Sequence, residues 1–168
     1  MTPGFCYTTD MKVLVVSDTH GNFNSALQAY GLTEPVDAII HLGDGVEDAN
    51  LLRSLMNLDV ITVSGNCDHD FTVPREMLLT CEGKRLLLVH GDAYGVKGGL
   101  EGLKQRAADV RADIVLFGHS HCATCITTSG IMFLNPGTLT RASARKTFAT
   151  LEISKDCIKA RLHDIPNP

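Results

Sequence analysis

Apolar residues along this 168-residue chain fall in short runs, and their spacing changes character partway along. Residues 12–16 form a β-branched stretch that reads as a buried strand. Asn22 stands as the N-cap of a helix over residues 23–30, which Gly31 would end. A strand over 36–42 follows, then a helix over 46–58 with Leu51, Leu52, Leu55 and Met56 as its apolar stripe. Residues 59–64 make a third strand. The β-α alternation then stops. Residues 76–81 and 84–89 flank Glu82-Gly83, a hairpin signal. A helix is predicted over 99–110, with Leu100, Leu103, Ala107 and Val110 on one face, and a strand over 113–117. The last runs, 123–128, 131–134, 146–154 and 157–163, read as strands with turns at Ser129-Gly130 and Lys155-Asp156.

The first two-thirds of the chain is therefore α/β and the last third almost wholly β. The expected fold class lies at the boundary of α/β and α+β. It is a four-layer αββα sandwich, two mixed β-sheets face to face with helices outside. Residues 11–168 are expected to form a single domain behind a loose, turn-prone extension over residues 1–10.

Five of the apolar runs end in a short Gly-rich break that carries a metal-ligand type. The breaks read S-D-T-H-G from Ser17, G-D-G from Gly43, G-N-C-D from Gly65, H-G-D from His90 and G-H-S-H from Gly118. Parallel strands put their carboxyl ends along one edge, where ligands gather. Asp18, His20, Asp44, Asn66, His90, His119 and His121 would then meet in one place. Seven O and N donors exceed what one tetrahedral zinc uses and suit two ions sharing a carboxylate. Donors without thiolate suit manganese, iron, cobalt, nickel or zinc. His41 is the contrasting case. It sits one pleat inside its strand, which makes it a hydrogen-bonded core residue.

The order D-x-H, G-D, G-N-x-D, H-G-D and G-H-x-H, each after an apolar run, is far more specific than any single motif. It resembles the calcineurin-like metallophosphoesterase superfamily. The size, the G-N-C-D break and N-P-G-T at Asn135–Thr138 are similar to its compact single-domain phosphodiesterase branch of bacteria and archaea. The likeness runs from Met11 to about Ile165. It implies that Asp18, His20 and His121 hold one ion, that Asn66, His90 and His119 hold the other, and that Asp44 bridges them. It further implies a phosphodiesterase in which a metal-bound hydroxide attacks a small phosphodiester, with Asp44, Asn66 and His90 at the catalytic centre. Manganese leads the candidate metals. Phosphatase members carry His after the motif Asn, where this chain has Cys67. Loss of such a general acid typically costs about 10²–10⁴-fold, most of all for basic alkoxide leaving groups.

Around the donors, Asp68 and Asp92 are candidates for orienting ligand imidazoles. His69 is a candidate acid, and Thr138 and Arg141 are candidates for touching substrate. Cys122 and Cys125 form a C-x-x-C that lacks the second pair a zinc ribbon needs.

Composition narrows the setting. There are 15 basic and 19 acidic residues, a net charge of −4 and no basic run, so no nucleic-acid-binding patch is expected. Two divalent ions against two carboxylates leave roughly +2 at the centre, enough to attract an anion. The six cysteines make no disulfide framework, and neither a signal peptide nor an apolar stretch of about 18 residues is present. A cytoplasmic protein with no membrane association is the expectation, and exposed sheet edges allow a homodimer. Two alternatives differ in class: a phosphomonoesterase or nucleotide polyphosphate hydrolase on the same centre, and a catalytically silent protein-binding scaffold such as the retromer subunit with this fold.

Overall fold

Alternating side chains on the central strands feed two different cores, and this alternation builds the layers. The computed structural model describes residues 6, 7 and 9–166, with side chains from residue 9 onward. Strand β1 (Cys6–Tyr7) falls in the segment expected to be a loose extension. It pairs in parallel with Thr80 and Cys81, so that expectation is corrected there. The rest of that segment up to residue 8 lies outside the described residues. The elements then run β2 (Met11–Val16), α1 (Phe23–Thr33), β3 (Ala38–His41), α2 (Val46–Leu55) and β4 (Asp59–Thr62). A hairpin of β5 (Glu76–Cys81) and β6 (Lys84–Val89) leads to α3 (Glu101–Asp109) and β7 (Ile114–Leu116). Two more hairpins follow, β8 (Thr124–Thr128) with β9 (Ile131–Asn135), and β10 (Thr147–Ile153) with β11 (Ile158–Asp164).

One mixed sheet has the order β1-β5-β6-β7-β9-β8 and the other β11-β10-β2-β3-β4. Between them lie Val13, Val15 and Ile40 from one sheet and Leu86, Leu88, Ile114 and Leu116 from the other. The alternate residues Leu14, Val16 and Ile39 face outward against Ala26, Ala29, Ala49 and Leu52 of α1 and α2. On the opposite side Leu87, Val89 and Val115 meet Leu103 and Ala107 of α3. The period-2 pattern thus divides each strand between two apolar layers, which gives the expected four-layer order.

Several boundaries shift for local reasons. Helix α1 runs through Gly31 to Thr33 and ends where Glu34, preceding Pro35, takes an extended ψ of 147°. Asn22 makes no side-chain cap bond. Its Nδ2 donates instead to Ser25 Oγ at 2.8 Å and to the Leu139 carbonyl at 2.7 Å. Helix α2 stops at Leu55 because Met56 is already extended. Strands β2, β3 and β4 are mutually parallel, as are β6 and β7, so all five breaks leave carboxyl ends.

Candidate metal centre

Hydrogen bonds lace the five breaks into one edge. The Asp18 and His20 amides donate to the carbonyls of Gly43 and Asp44, each at 3.0 Å. The Gly118 amide donates to the His90 carbonyl at 2.8 Å, and the His119 amide reaches Asp18 Oδ2 at 3.1 Å, so the two sheets are joined. Asp18, His20, Asp44, His119 and His121 all have positive φ, between 46° and 64°. Such a backbone is costly for residues with a Cβ and concentrates at functional sites. The other described non-glycine residues with positive φ, Glu82, Arg111 and Ser129, lie in turns. Close approach explains the glycines. A Cβ on Gly65 would sit 2.1 Å from Asp44 Oδ1, and one on Gly118 would sit 2.0 Å from Ser17 Oγ.

Two groups of three donors result. In the first, His121 Nε2 is 3.1 Å and His20 Nε2 3.9 Å from Asp18 Oδ1. In the second, His90 Nε2 is 3.4 Å from Asp44 Oδ2 and 3.2 Å from His119 Nδ1. Within each group the ligand atoms lie within 4.8 Å of one another. Asp44 Oδ2 is also 3.7 Å from His20 Nε2, so this carboxylate stands between the groups. Asn66 is an exposed residue whose Nδ2 donates to Cys67 Sγ at 3.3 Å.

The electrostatics suit cation binding. Burial favours neutral His90, but the Asp44 and Asp18 carboxylates beside it prevail and raise its pKa. Burial likewise opposes ionised Asp44, yet bonds from His90 and the Cys67 amide hold its carboxyl well below the usual range. His119 shifts down through burial and the neighbouring His90. His90 Nδ1 donates to the Leu42 carbonyl at 2.8 Å, so Nε2 is the nitrogen that faces the carboxylates, and an ion displacing its proton would find the lone pair aimed into the site. Oriented imidazoles and buried carboxylates with no thiolate among them fit a divalent transition metal.

The surrounding candidates have definite partners. Asp68 accepts four amides: Asp44 and Gly65 at 2.7 Å on Oδ2, Gly45 and Val46 at 2.9 Å on Oδ1. It therefore holds loops and the N-terminus of α2, while the Leu42 carbonyl aligns the His90 imidazole. Asp92 pairs with Arg75, whose Nη1 reaches the Gly65 carbonyl at 3.3 Å. Thr138 is buried, and its hydroxyl donates to the Asp18 carbonyl at 3.0 Å. Arg141 is exposed near Gly21. His41 is fully buried, with Nδ1 accepting the Gly43 amide and Nε2 at 3.0 Å from Thr19 Oγ1. Burial lowers its pKa to about 4.

Three supporting residues escaped the reading of the sequence. Ser17 Oγ donates to Asp18 Oδ2 at 2.5 Å, Asn135 Nδ2 holds the Gly118 carbonyl at 2.9 Å, and Arg75 braces the third break. Ser17 and Asn135 lie inside quoted motifs, so position alone could have marked them. Beside His20 and Asp44 opens a cleft of about 460 Å³, whose walls include Cys67 and His69.

Residues 11–156 match the model of the calcineurin-like phosphoesterase superfamily domain. The chain is 33% identical over 158 residues to a probable metallophosphoesterase of Bacillus subtilis, covering 92% of this chain and 91% of that protein. In fold it is similar to an archaeal phosphodiesterase, with TM-score 0.74 and 19% identity over 91% of this chain and 100% of the other. It is also similar to zinc-complexed Vps29 of Entamoeba histolytica, with TM-score 0.71 and 23% identity over 92% and 99%. With the family model spanning most of the chain and a relative matched nearly end to end, this protein belongs to the calcineurin-like phosphoesterase superfamily.

Proposed function

We propose that the chain is a phosphodiesterase with a dinuclear metal centre, manganese in both positions, acting on a small phosphodiester. One observation carries the reading: two three-donor groups, Asp18–His20–His121 and Asp44–His90–His119, meet at the Asp44 carboxylate. Asn66 joins the second group by rotating its amide from Cys67. When bound, two ions supply an acidified water and the positive charge that offsets a phosphorane-like transition state. The protein's own part is positional. The Leu42 carbonyl keeps His90 in one tautomer, Asp68 holds Asp44 and Gly65 in register, and Ser17 orients Asp18.

Cys67 supports a diester over a monoester. A thiol stands where phosphatases of the family place His, and partial burial, followed by the Asp44 carboxylate beside it, raises its pKa, which makes it a weak acid for an alkoxide. The fold likeness to an archaeal phosphodiesterase points the same way. Retention of all seven donor residues supports an enzyme over the scaffold reading that the Vps29 likeness raises. Unbridged thiols at Cys67, Cys122, Cys125 and Cys157 agree with a cytosolic setting.

The test strips the metal with chelator, restores manganese, and compares bis-nitrophenyl phosphate with nitrophenyl phosphate. Strong diester and weaker monoester hydrolysis is expected. A diester rate no better than buffer with every divalent metal would favour the scaffold, and a dominant monoester rate would favour a phosphatase.

A further inference from the structure

We infer that Cys67 is a soft-metal ligand, forming with His20 and Asp44 a mixed sulfur, nitrogen and oxygen donor set that sets the centre's metal preference. The inference rests on the proposed metal centre but concerns a residue outside the seven oxygen and nitrogen donors. The ligand atoms of His20, Asp44 and Cys67 lie within 4.8 Å of one another, as close as those of the two groups described above. The placement is built rather than incidental. The Cys67 amide donates to Asp44 Oδ1 at 2.8 Å, which fixes the residue against the carboxylate. The next residue, Asp68, is anchored by four backbone amides, so the segment cannot drift from the Asp44 loop. The thiol is exposed on the cleft wall that His20 and Asp44 also line. It is reachable by an ion from solvent.

Thiolate prefers zinc, cadmium and cobalt to manganese, whose affinity is for carboxylate, carbonyl and water. A soft ion at His20 and Asp44 therefore recruits the sulfur. The S–H proton passes to solvent, the sulfur–metal bond forms, and a coordinated water departs, with no change of oxidation state. Manganese leaves the thiol protonated and the cleft open. Soft ions would thus bind more tightly and occupy the wall that a substrate needs, so one centre accepts both classes of metal but works best with the harder.

The test uses the full chain, stripped and reloaded with cobalt, and reads its absorption spectrum. A near-ultraviolet thiolate-to-cobalt charge-transfer band is expected beside the visible ligand-field bands. Cys67→Ser should lose the first and keep the second. Competition calorimetry should show cadmium affinity falling roughly tenfold or more in Cys67→Ser, with manganese affinity nearly unchanged. Ligand-field bands without charge transfer in the native protein would overturn this inference alone. Survival of the band in Cys67→Ser would assign it to another thiol, such as Cys122 beside His121, and would also overturn it. Absence of every cobalt band would remove the metal centre itself, and this inference with it.

Discussion

At the hairpin turns Glu82-Gly83 and Ser129-Gly130, both residues have positive φ, and a Cβ on either glycine would meet open space. At the breaks after β4 and β7, Gly65 and Gly118 have ordinary φ, and a Cβ would collide with Asp44 or Ser17. There the positive φ has moved to the neighbouring Asp18, Asp44, His119 and His121. In the hairpins glycine relieves backbone strain. At these two breaks it makes room while donors beside it carry the strain, so the same sequence cue has two physical causes.

The sharpest challenge to this contrast removes the donor that stands between the two groups. Asp44→Asn is expected to lower manganese-dependent diester hydrolysis by about 10³-fold or more, several kcal/mol of transition-state stabilisation. Full activity in that variant would sink the bridging assignment. Next comes Gly65→Ala, which forces a methyl against Asp44. Stability should fall by about 3 kcal/mol in denaturant titration and activity by about 10²-fold.

A third measurement follows His41, which braces the same edge from inside. Its folded pKa of about 4 lies below the unfolded value near 6.5, so the unfolded chain binds more protons between those values. Stability should therefore fall as pH drops through that window, by roughly 3 kcal/mol in all. His90 has a raised pKa and acts in the opposite sense, losing its contribution as pH rises, so the comparison is native protein against His41→Gln in chelator. Identical pH profiles would refute the buried-brace role. Asp68→Asn should cost about 2 kcal/mol by thermal melting, since one of the two oxygens that share four amides becomes an NH2 donor and leaves two amides without an acceptor. The smallest effect belongs to Gly83→Ala, a loss of about 1 kcal/mol from positive φ with activity intact. If Gly83→Ala proved as damaging as Gly65→Ala, the distinction between the two kinds of break would fail.

Much of the layering was legible because period-2 alternation alone assigns Val13 and Val15 to one face of β2 and Leu14 and Val16 to the other. Element ends were less so. Gly31 looked like a stop, yet an exposed glycine without tight contacts is tolerated in a helix, and Pro35 set the end. Asn22 looked like a cap because its partner Leu139, 117 residues away, is invisible to local pattern. The donors could be named from strand-end position, and the structure draws six of them into two groups. Their supports could not be read so well. Nothing in G-N-C-D reveals that Asp68 will face four amides from two loops, nor that Asp92 will face Arg75. Such partners depend on how loops from separate strands meet, which is a property of the assembled edge.

The position of Asp68 has a further consequence. One carboxylate grips the Asp44 loop and the Gly65 loop together, so neither can become ordered without the other. An ion captured by Asp18, His20 and Asp44 would stiffen Asp44, and through Asp68 the strand end that carries Asn66. Were two ions to bind as proposed, the ordering cost met by the first would be largely spared for the second, a positive cooperativity without any change of shape. Metal titration of the native chain should be steeper than two independent sites allow, and Asp68→Asn should flatten it.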